Sequence, residues 1–359
     1  AMNRSLNDVL MIAGAVTMIV GVMMALVQHN MKRLLGYHAV SQVGYMVLGL
    51  GTGSAIGIAG GLFHMLNHVV YKACLFFVAG NVEHQAKTTE LDELGGLARL
   101  MPVTYIACVI ASLSISGVPP FNGFVSKWMI YQGLVDRLRI PSADRSITAL
   151  CLMAALFASA LTLASFMKLL HAVFLGQRRG WEKFHLKEAP ALMLIPCVFL
   201  ALICVVFGLG AVRGPLKHLI FPAISPSLPL RASDLTGAWS PVPATMLVGT
   251  GLLLGAVAFF LFRGRLSLRR DASYVGGEVA PILDENAVTG TDFYTTVQEL
   301  GPLPKVYEAA AKGRFDLYEQ GKKVFSFSRF LQYLHNGVLP TYLVWMLLGI
   351  AGLFLALLR

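Results

Sequence analysis

Three ionisable side chains recur every four residues within one apolar stretch of the sequence. His64, His68 and Lys72 occupy positions i, i+4 and i+8 of the segment 62–73. On a helix of 3.6 residues per turn they fall within about 80° of one another, with steps of about 6 Å along the axis. Histidine titrates near neutral pH, and burial in an apolar environment makes an ammonium group easier to deprotonate. The spacing therefore favours a stripe that passes protons through bound water.

Two other interpretations of this stripe remain open. Two histidines at i and i+4 can bind zinc, but the stretch offers neither a third Cys, Asp or Glu ligand nor a glutamate between the histidines. One histidine can also serve only as a buried hydrogen-bonding group. A structural role for all three residues explains less, because each costs free energy to bury on an apolar helix.

A second candidate is Lys127, which follows a predicted helix break. Pro119 and Pro120 lack backbone donors and block the helical ladder. The break leaves free amides and carbonyls that bind water, and Lys127 lies one to two turns beyond it. About nine residues, or about 14 Å at helical rise, separate Lys127 from Asp136. A lysine that snorkels over this distance is strained, so the position favours proton exchange.

Lys168, His171 and Lys32 are weaker candidates. Lys168 lies about seven residues from the end of its apolar stretch, so snorkelling and proton transfer explain it equally well. His171 lies one turn further along. Lys32 and Arg33 fall in a short predicted loop, where basic residues are typical membrane anchors. A tight loop of this kind can also line a water path with its polar residues, which include His38, Ser41 and Gln42.

The composition places these residues in a membrane protein. Of 359 residues, 56% are hydrophobic and 13% are charged, against about 25% charged in soluble domains. The net charge is +10, yet the basic residues lie mostly in loops between apolar stretches. We therefore expect contact with the lipid bilayer and no nucleic-acid partner.

The cysteines offer no redox or metal site. All lie in apolar stretches, and none forms a Cys-x-x-Cys pair; they are Cys74, Cys108, Cys151, Cys197 and Cys204. We expect them to be small buried hydrophobes, so any redox centre belongs to another chain.

Apolar stretches of roughly 20 residues cross a hydrocarbon core of ~30 Å, which predicts an all-α integral membrane protein with about eight transmembrane helices. The predicted spans are 8–28, 37–51, 55–80, 102–136, 147–175, 190–211, 243–264 and 339–358. The fourth is too long for one helix, so we expect it to break into about 102–115 and 121–136. Broken helices at membrane depth commonly mark transport sites. No Asp or Glu lies deep within these spans, so Lys72 lacks an acidic partner in this chain.

The segment 265–338 is the most polar part of the chain, and its Lys and Arg residues predict its side as cytoplasmic. In its second part, 292–332, apolar residues recur at helical spacing among basic ones. These apolar residues are Tyr307, Ala311, Phe315, Tyr318 and Phe325. The pattern favours an amphipathic helix along the membrane or a neighbouring subunit, and a folded cytoplasmic linker is the alternative.

Three motifs resemble one family. The segment 31–46, MKRLLGYHAVSQVGYM, resembles the KR-x-L-x-Y-S-x-x-S-Q-x-G-Y signature of antiporter-like proton-pumping subunits. These occur in respiratory complex I, Mrp-type Na⁺/H⁺ antiporters and membrane-bound energy-converting hydrogenases. The segment 64–72 is similar to the family's H-x-x-x-H-x-x-x-K helix, and 117–127 to its broken helix with a terminal ionisable residue. The segments 119–126, 274–278 and 334–342 look more like the hydrogenase and Mrp relatives.

The resemblance implies a role for each candidate residue. Lys72 resembles the family's central proton-carrying lysine, with His64 and His68 as the hydrated relay beside it. Lys127 resembles the terminal residue that exchanges protons with one side of the membrane. Lys32 resembles a lysine that bridges toward the other half-channel.

The resemblance also implies an organisation. Residues 1–212 resemble the second of two inverted halves, 213–264 add a transmembrane region, 265–338 resemble a lateral helix, and 339–359 form an anchor. Another chain or segment would supply the first half, with its glutamate–lysine pair. Iron–sulfur, flavin, nickel–iron or quinone sites are expected only in partner subunits, and the membrane is expected to be a prokaryotic inner membrane.

The resulting hypothesis is a proton-translocating membrane subunit of a redox-driven complex, with no redox chemistry in this chain. Sodium needs an oxygen-rich site, which the spans do not offer, so protons are favoured. The alternatives are an Mrp-type Na⁺/H⁺ antiporter subunit and a structural membrane scaffold.

Overall fold

The structure is a computed structural model that describes residues 4–140, 144–176, 186–224, 241–262 and 299–312, with residues 294, 314, 344, 347 and 348. Apart from an isolated bridge between Asn30 and Glu90, the regular structure of these residues is helical. The chain divides into two compact units, 1–295 and 296–359, of which the first holds the candidate site.

Nine helices, α1 to α9, are described in the first unit. In order, they are Arg4–Leu26, Met31–Gly51, Ala55–Ala86, Pro102–Ser116, Asn122–Leu138, Arg145–Leu170, Ala191–Leu209, Phe221–Ile224 and Pro241–Phe262. Short turns of other helical types cover Leu97–Arg99, His171–Leu175 and Val212–Ile220. Polar side chains fix several starts: Asn30, Ser54 and Asp144 accept hydrogen bonds from first-turn amides of α2, α3 and α6.

Four of these helical stretches are long and apolar enough to cross a membrane. They are Ser5–Leu26, Ala55–Ala86, Arg145–Leu175 and Ala191–Leu209, and they coincide with predicted spans 8–28, 55–80, 147–175 and 190–211. The predicted break of the fourth span is confirmed, because α4 ends at Ser116 and α5 begins at Asn122. The total of about eight spans remains a prediction.

The prediction that Lys32 and Arg33 lie in a loop is wrong. The Asn30 side chain accepts hydrogen bonds from the amides of Lys32 and Arg33, which starts α2 at Met31. Both basic residues therefore lie on the first turn of a helix. The sequence pattern misses this turn because its side chains are exposed and charged, although its backbone is well capped.

Much of the predicted polar segment 265–338 lies outside the described residues, as does nearly all of the predicted last span 339–358. Within the second unit, Leu303–Ala311 forms a helix, α10, which begins after Pro302. At its end Lys312 forms an ion pair with Glu308. This helix carries Tyr307 and Ala311 of the predicted amphipathic stripe. The choice between an amphipathic helix and a linker over 292–332 therefore stays a prediction.

Helix α3 packs against four other helices of the first unit. It contacts α2, α4, α5 and α7, while α1 lies along α2 and α6. One apolar cluster joins α3, α4 and α7 through residues such as Cys74, Ala111 and Cys204. A second cluster joins α1, α2 and α6 through residues such as Met18 and Ala155. This packing encloses polar side chains on the facing sides of α2, α3, α5 and α6.

An ion pair ties the end of α5 to the first helix. Arg137 is 5% exposed, and its guanidinium donates to Asp8 Oδ1 at 2.6 Å and to the Thr52 carbonyl at 3.1 Å. We expect Arg137→Met to lower the free energy of unfolding by about 1–3 kcal/mol, because both acceptors lose their partner. Thermal unfolding in detergent measures this.

The matched control is Arg139→Met, two residues further along. The Arg139 side chain is 77% exposed, and its contact with Asp136 is 3.7 Å long. An exposed pair of this kind contributes at most about 1 kcal/mol. Equal unfolding temperatures for the two variants would contradict the prediction.

Candidate functional site

The predicted stripe on α3 is present, and its first histidine is the best connected. His64 is fully buried. Its Nδ1 lies 2.9 Å from Ser126 Oγ on α5, and its Nε2 lies 3.1 Å from Gln42 Oε1 on α2. The Tyr71 hydroxyl lies 3.3 Å from the same Nε2. His64 thus joins three helices by direct side-chain contacts.

The remaining two residues of the stripe are placed differently. Lys72 is 5% exposed, and its Nζ donates to the Leu35 carbonyl of α2. His68 is half-buried, with its ring edge-on to Tyr71 at 5.6 Å between centroids. Among the described residues, no carboxylate forms an ion pair with Lys72, and no hydrogen bond links the three stripe residues directly. Proton transfer along the stripe therefore requires water, as the spacing of about 6 Å predicts.

Polar side chains stabilise the break between α4 and α5. Gly117 ends α4 with a positive φ of 82°, a conformation that glycine adopts without strain. Beyond the break, Asn122 Nδ2 donates to Asn67 Oδ1 at 3.1 Å, and Asn67 Nδ2 donates to the Asn122 carbonyl at 3.0 Å. The Ser114 hydroxyl donates to Asn122 Oδ1. These contacts fix the start of α5 inside the bundle.

Lys127 is brought into the bundle interior by this arrangement. It is 2% exposed, which rules out snorkelling in the described structure. Its Nζ donates to Ser159 Oγ at 3.0 Å and to the Ser116 carbonyl at 3.4 Å, which the break leaves free. It also lies 4.5 Å from the centroid of the Tyr45 ring, within range of a cation–π contact.

The α2 helix connects these groups. His38, Gln42 and Tyr45 lie at i, i+4 and i+7, so they share one face. Gln42 contacts His64 on α3, whereas His38 and Tyr45 contact α6: His38 Nε2 lies 2.8 Å from Ser165 Oγ, and the Tyr45 hydroxyl lies 3.0 Å from Ser159 Oγ. The Tyr131 hydroxyl is 2.7 Å from the same Ser159 Oγ. We call these residues, with His64, Ser126 and Lys127, the interior network.

Sequence reasoning missed most partners in the interior network. It considered His38 and Gln42 only as part of a loop that lines water, and it did not single out Tyr45, Ser126, Ser159 or Ser165. A usable signal existed, because His38, Gln42 and Tyr45 keep helical spacing. Serines carry a weaker signal, because a hydroxyl on a helix is usually satisfied by its own backbone.

The weaker candidates separate in the structure. Lys168 is 1% exposed, and its Nζ donates to the Leu26 and Gln28 carbonyls at 2.7 and 2.8 Å, where α1 ends. Lys32 is exposed and forms an ion pair with Glu83 at 2.5 Å, away from the interior network. His171 is half-buried in the π-helical turn after α6. The structure thus buries Lys168 against the end of α1 and leaves Lys32 exposed.

No metal site is evident in the part of the chain that the structure describes: no three His, Cys, Asp or Glu side chains converge there. His64 and His68 each face other neighbours. The five cysteines are buried and carry free thiols.

Comparison with known proteins assigns the family. Residues 1–162 match the model of the family described as NADH:quinone oxidoreductase/Mrp antiporter, transmembrane. Formate hydrogenlyase subunit 3 of Escherichia coli K12 is 33% identical over 282 residues, which cover 75% of this chain and 45% of that subunit. Residues 1–162 belong to this antiporter-like membrane subunit family. His64, His68, Lys72 and Lys127 all lie in the matched part.

One further relative and one solved structure are also similar to this chain. A Na⁺/H⁺ antiporter subunit of Alkalihalophilus pseudofirmus is 34% identical over 205 residues, which cover 57% of this chain and 40% of that relative. The structure of the membrane-bound sulfane sulfur reductase, an archaeal respiratory membrane complex, matches with a TM-score of 0.70 at 24% identity. It covers 98% of this chain and 56% of that chain, and shows a shared fold. The chain spans less than half the length of both curated relatives.

Proposed function

We propose that the chain moves protons through the membrane as one subunit of a redox-driven complex. The observation that carries the proposal is the burial of Lys72 and Lys127 within the bundle, where neither forms an ion pair with a described carboxylate. A permanently charged amine is costly in such a place. An amine that alternates between charged and neutral forms suits proton transfer.

The interior network supplies contacts for such transfer. Lys127 reaches Ser159, and Ser159 reaches Tyr45 on α2. From the same face of α2, Gln42 reaches His64, which begins the stripe toward Lys72. Hydroxyl and imidazole groups both donate and accept hydrogen bonds, so each can pass a proton onward. In this proposal the two lysines hold the proton and the polar groups between them, with water, convey it.

We propose protons as the transported ion, in preference to sodium, because of the atoms that surround the two lysines. Sodium requires several oxygen ligands, as other hard cations do. In the described part of the chain, the oxygens in contact with the two lysine Nζ atoms are only two carbonyls and one hydroxyl, and each already accepts a hydrogen bond from its lysine. The alternative is an Mrp-type Na⁺/H⁺ antiporter subunit, which the similarity to a Na⁺/H⁺ antiporter subunit supports.

The proposal includes partners beyond the described chain. Another chain or segment would supply the first inverted half, and partner subunits would hold any flavin, iron–sulfur, nickel–iron or quinone site. We also propose the eight-span organisation, with 1–212 as core, 265–338 as lateral segment and 339–359 as anchor, in a prokaryotic inner membrane. In this proposal, redox energy reaches Lys72 and Lys127 through these partners.

The test is Lys72→Met in the complete membrane complex, reconstituted in vesicles, with proton uptake and redox turnover recorded together. We expect proton uptake per turnover to fall on the order of tenfold, because a titratable proton carrier is lost. The matched control is Lys87→Met, an exposed lysine at the end of the same helix. Unchanged uptake in Lys72→Met would leave a scaffold role as the better explanation.

A further inference from the structure

The α6 helix carries a line of polar side chains at a spacing of three residues. The line consists of Ser159, Thr162, Ser165 and Lys168. Thr162 and Ser165 are fully inaccessible, and Lys168 is 1% exposed. Other positions of α6, such as Leu156 and Phe157, expose apolar side chains. The line spans nine residues, or about 14 Å along the helix axis.

The two ends of this line contact different parts of the bundle. At one end, Ser159 Oγ receives a hydrogen bond from Lys127 Nζ at 3.0 Å. At the other end, Lys168 Nζ donates to the Leu26 and Gln28 carbonyls, where α1 ends. The line therefore runs from the helix break to the end of the bundle where α1 gives way to α2.

A buried histidine lies beside the middle of the line. His38 Nε2 is 2.8 Å from Ser165 Oγ. His38 is fully buried, and its Nδ1 has no hydrogen-bond partner among the described residues. Leaving such an atom unpaired costs free energy unless water or a transient partner meets it. In this imidazole, Nε2 contacts Ser165 of the line, and Nδ1 is available to exchange a proton with water.

We propose that Ser159, Thr162 and Ser165, with His38, form a proton path between Lys127 and the α1–α2 end of the bundle. Successive hydroxyls are separated by about 4.5 Å of axial rise and about 60° of rotation around the helix, and we expect one bridging water per gap to complete the path. A hydroxyl can accept one hydrogen bond while it donates another, so a proton can pass without leaving a charge behind. At Thr162 this requires the hydroxyl to turn from the Ala158 carbonyl to which it donates. This inference rests on the proposed function and adds a route toward one membrane surface.

The competing explanation is that these hydroxyls serve only to bond with carbonyls of their own helix. A second threonine of α6 provides a control for this explanation. Thr162 Oγ1 donates to the Ala158 carbonyl at 2.7 Å, as Thr148 Oγ1 does to the Asp144 carbonyl at 2.7 Å. Both threonines are fully buried. Thr148 lies near the opposite end of the helix, outside the line. Valine at either position removes the hydroxyl and keeps the shape.

The experiment compares Thr162→Val, Thr162→Ser and Thr148→Val in the reconstituted complex, with Ser165→Ala as a second variant in the line. We expect Thr162→Val and Ser165→Ala to slow proton uptake about fivefold, the rate equivalent of one lost hydrogen bond. Thr162→Ser, which keeps the hydroxyl, and Thr148→Val should behave as wild type. Slow uptake in Thr162→Ser with normal uptake in Thr162→Val would show a packing role and overturn the path.

Lys72→Met in the same preparation separates the two proposals. If Lys72→Met stops proton uptake while Thr162→Val and Ser165→Ala pump as wild type, only the α6 path is wrong. If Lys72→Met also pumps as wild type, the proposed function itself fails. A fivefold loss in the α6 variants together with loss in Lys72→Met supports both.

Discussion

Replacing Lys127 by methionine is expected to lower proton uptake per redox turnover on the order of 100-fold, while the complex still assembles. Lys127 is the junction of the proposed path, since its Nζ contacts both Ser159 and the carbonyl that the helix break leaves free. Methionine has a similar length and no proton to exchange. Folding should tolerate the change, because Ser159 keeps its contacts with Tyr45 and Tyr131 and one buried charge is removed. Proton uptake by vesicles, measured with turnover, gives the result.

Lys127→Arg distinguishes charge from proton exchange at the same position. An arginine keeps the positive charge but does not release its proton in a protein. If Lys127 acts by exchanging protons, Lys127→Arg should lose uptake as Lys127→Met does. Normal uptake in Lys127→Arg would show that Lys127 supplies only a fixed charge, and normal uptake in Lys127→Met would remove it from the path altogether.

The part of the fold that sequence could predict is the part that hydrophobicity and proline determine. Apolar length located the long helices, and Pro119 with Pro120 located the break between α4 and α5. The start of α2 was mispredicted because capping by Asn30 outweighs the exposed charges of Lys32 and Arg33. Hydrophobic pattern does not record such local hydrogen bonds.

The sequence singled out the candidate residues whose side chains are rarely found within a membrane. It did not single out those whose side chains are common on any helix. His64, Lys72 and Lys127 stand out because charge is costly at membrane depth. Ser159 and Ser165 do not, because serine is unremarkable on a helix until a neighbour such as Lys127 or His38 contacts it. Those contacts join residues far apart in the chain. Periodicity within one helix therefore cannot reveal them.

Replacing Gly123 by alanine is expected to disrupt the helix break itself. A Cβ at Gly123 would lie 1.8 Å from the Ser114 carbonyl oxygen. Backbone cannot yield as a side chain can, so α5 would have to move away from the end of α4. That movement would separate Asn122 from Ser114 and Asn67, and would carry Lys127 out of contact with Ser159. We expect a loss of unfolding free energy of about 3 kcal/mol or more, from overpacking together with broken buried hydrogen bonds.

Gly80→Ala is the matched control for this substitution. Gly80 lies within α3, and a Cβ there would meet nothing within 4 Å. Because alanine favours a helix over glycine by up to about 1 kcal/mol, this variant should be as stable as wild type or slightly more stable. Thermal unfolding of both variants in detergent decides the matter. Equal stability would mean that α4 and α5 can separate without cost, and Lys127 would then not depend on the break for its position.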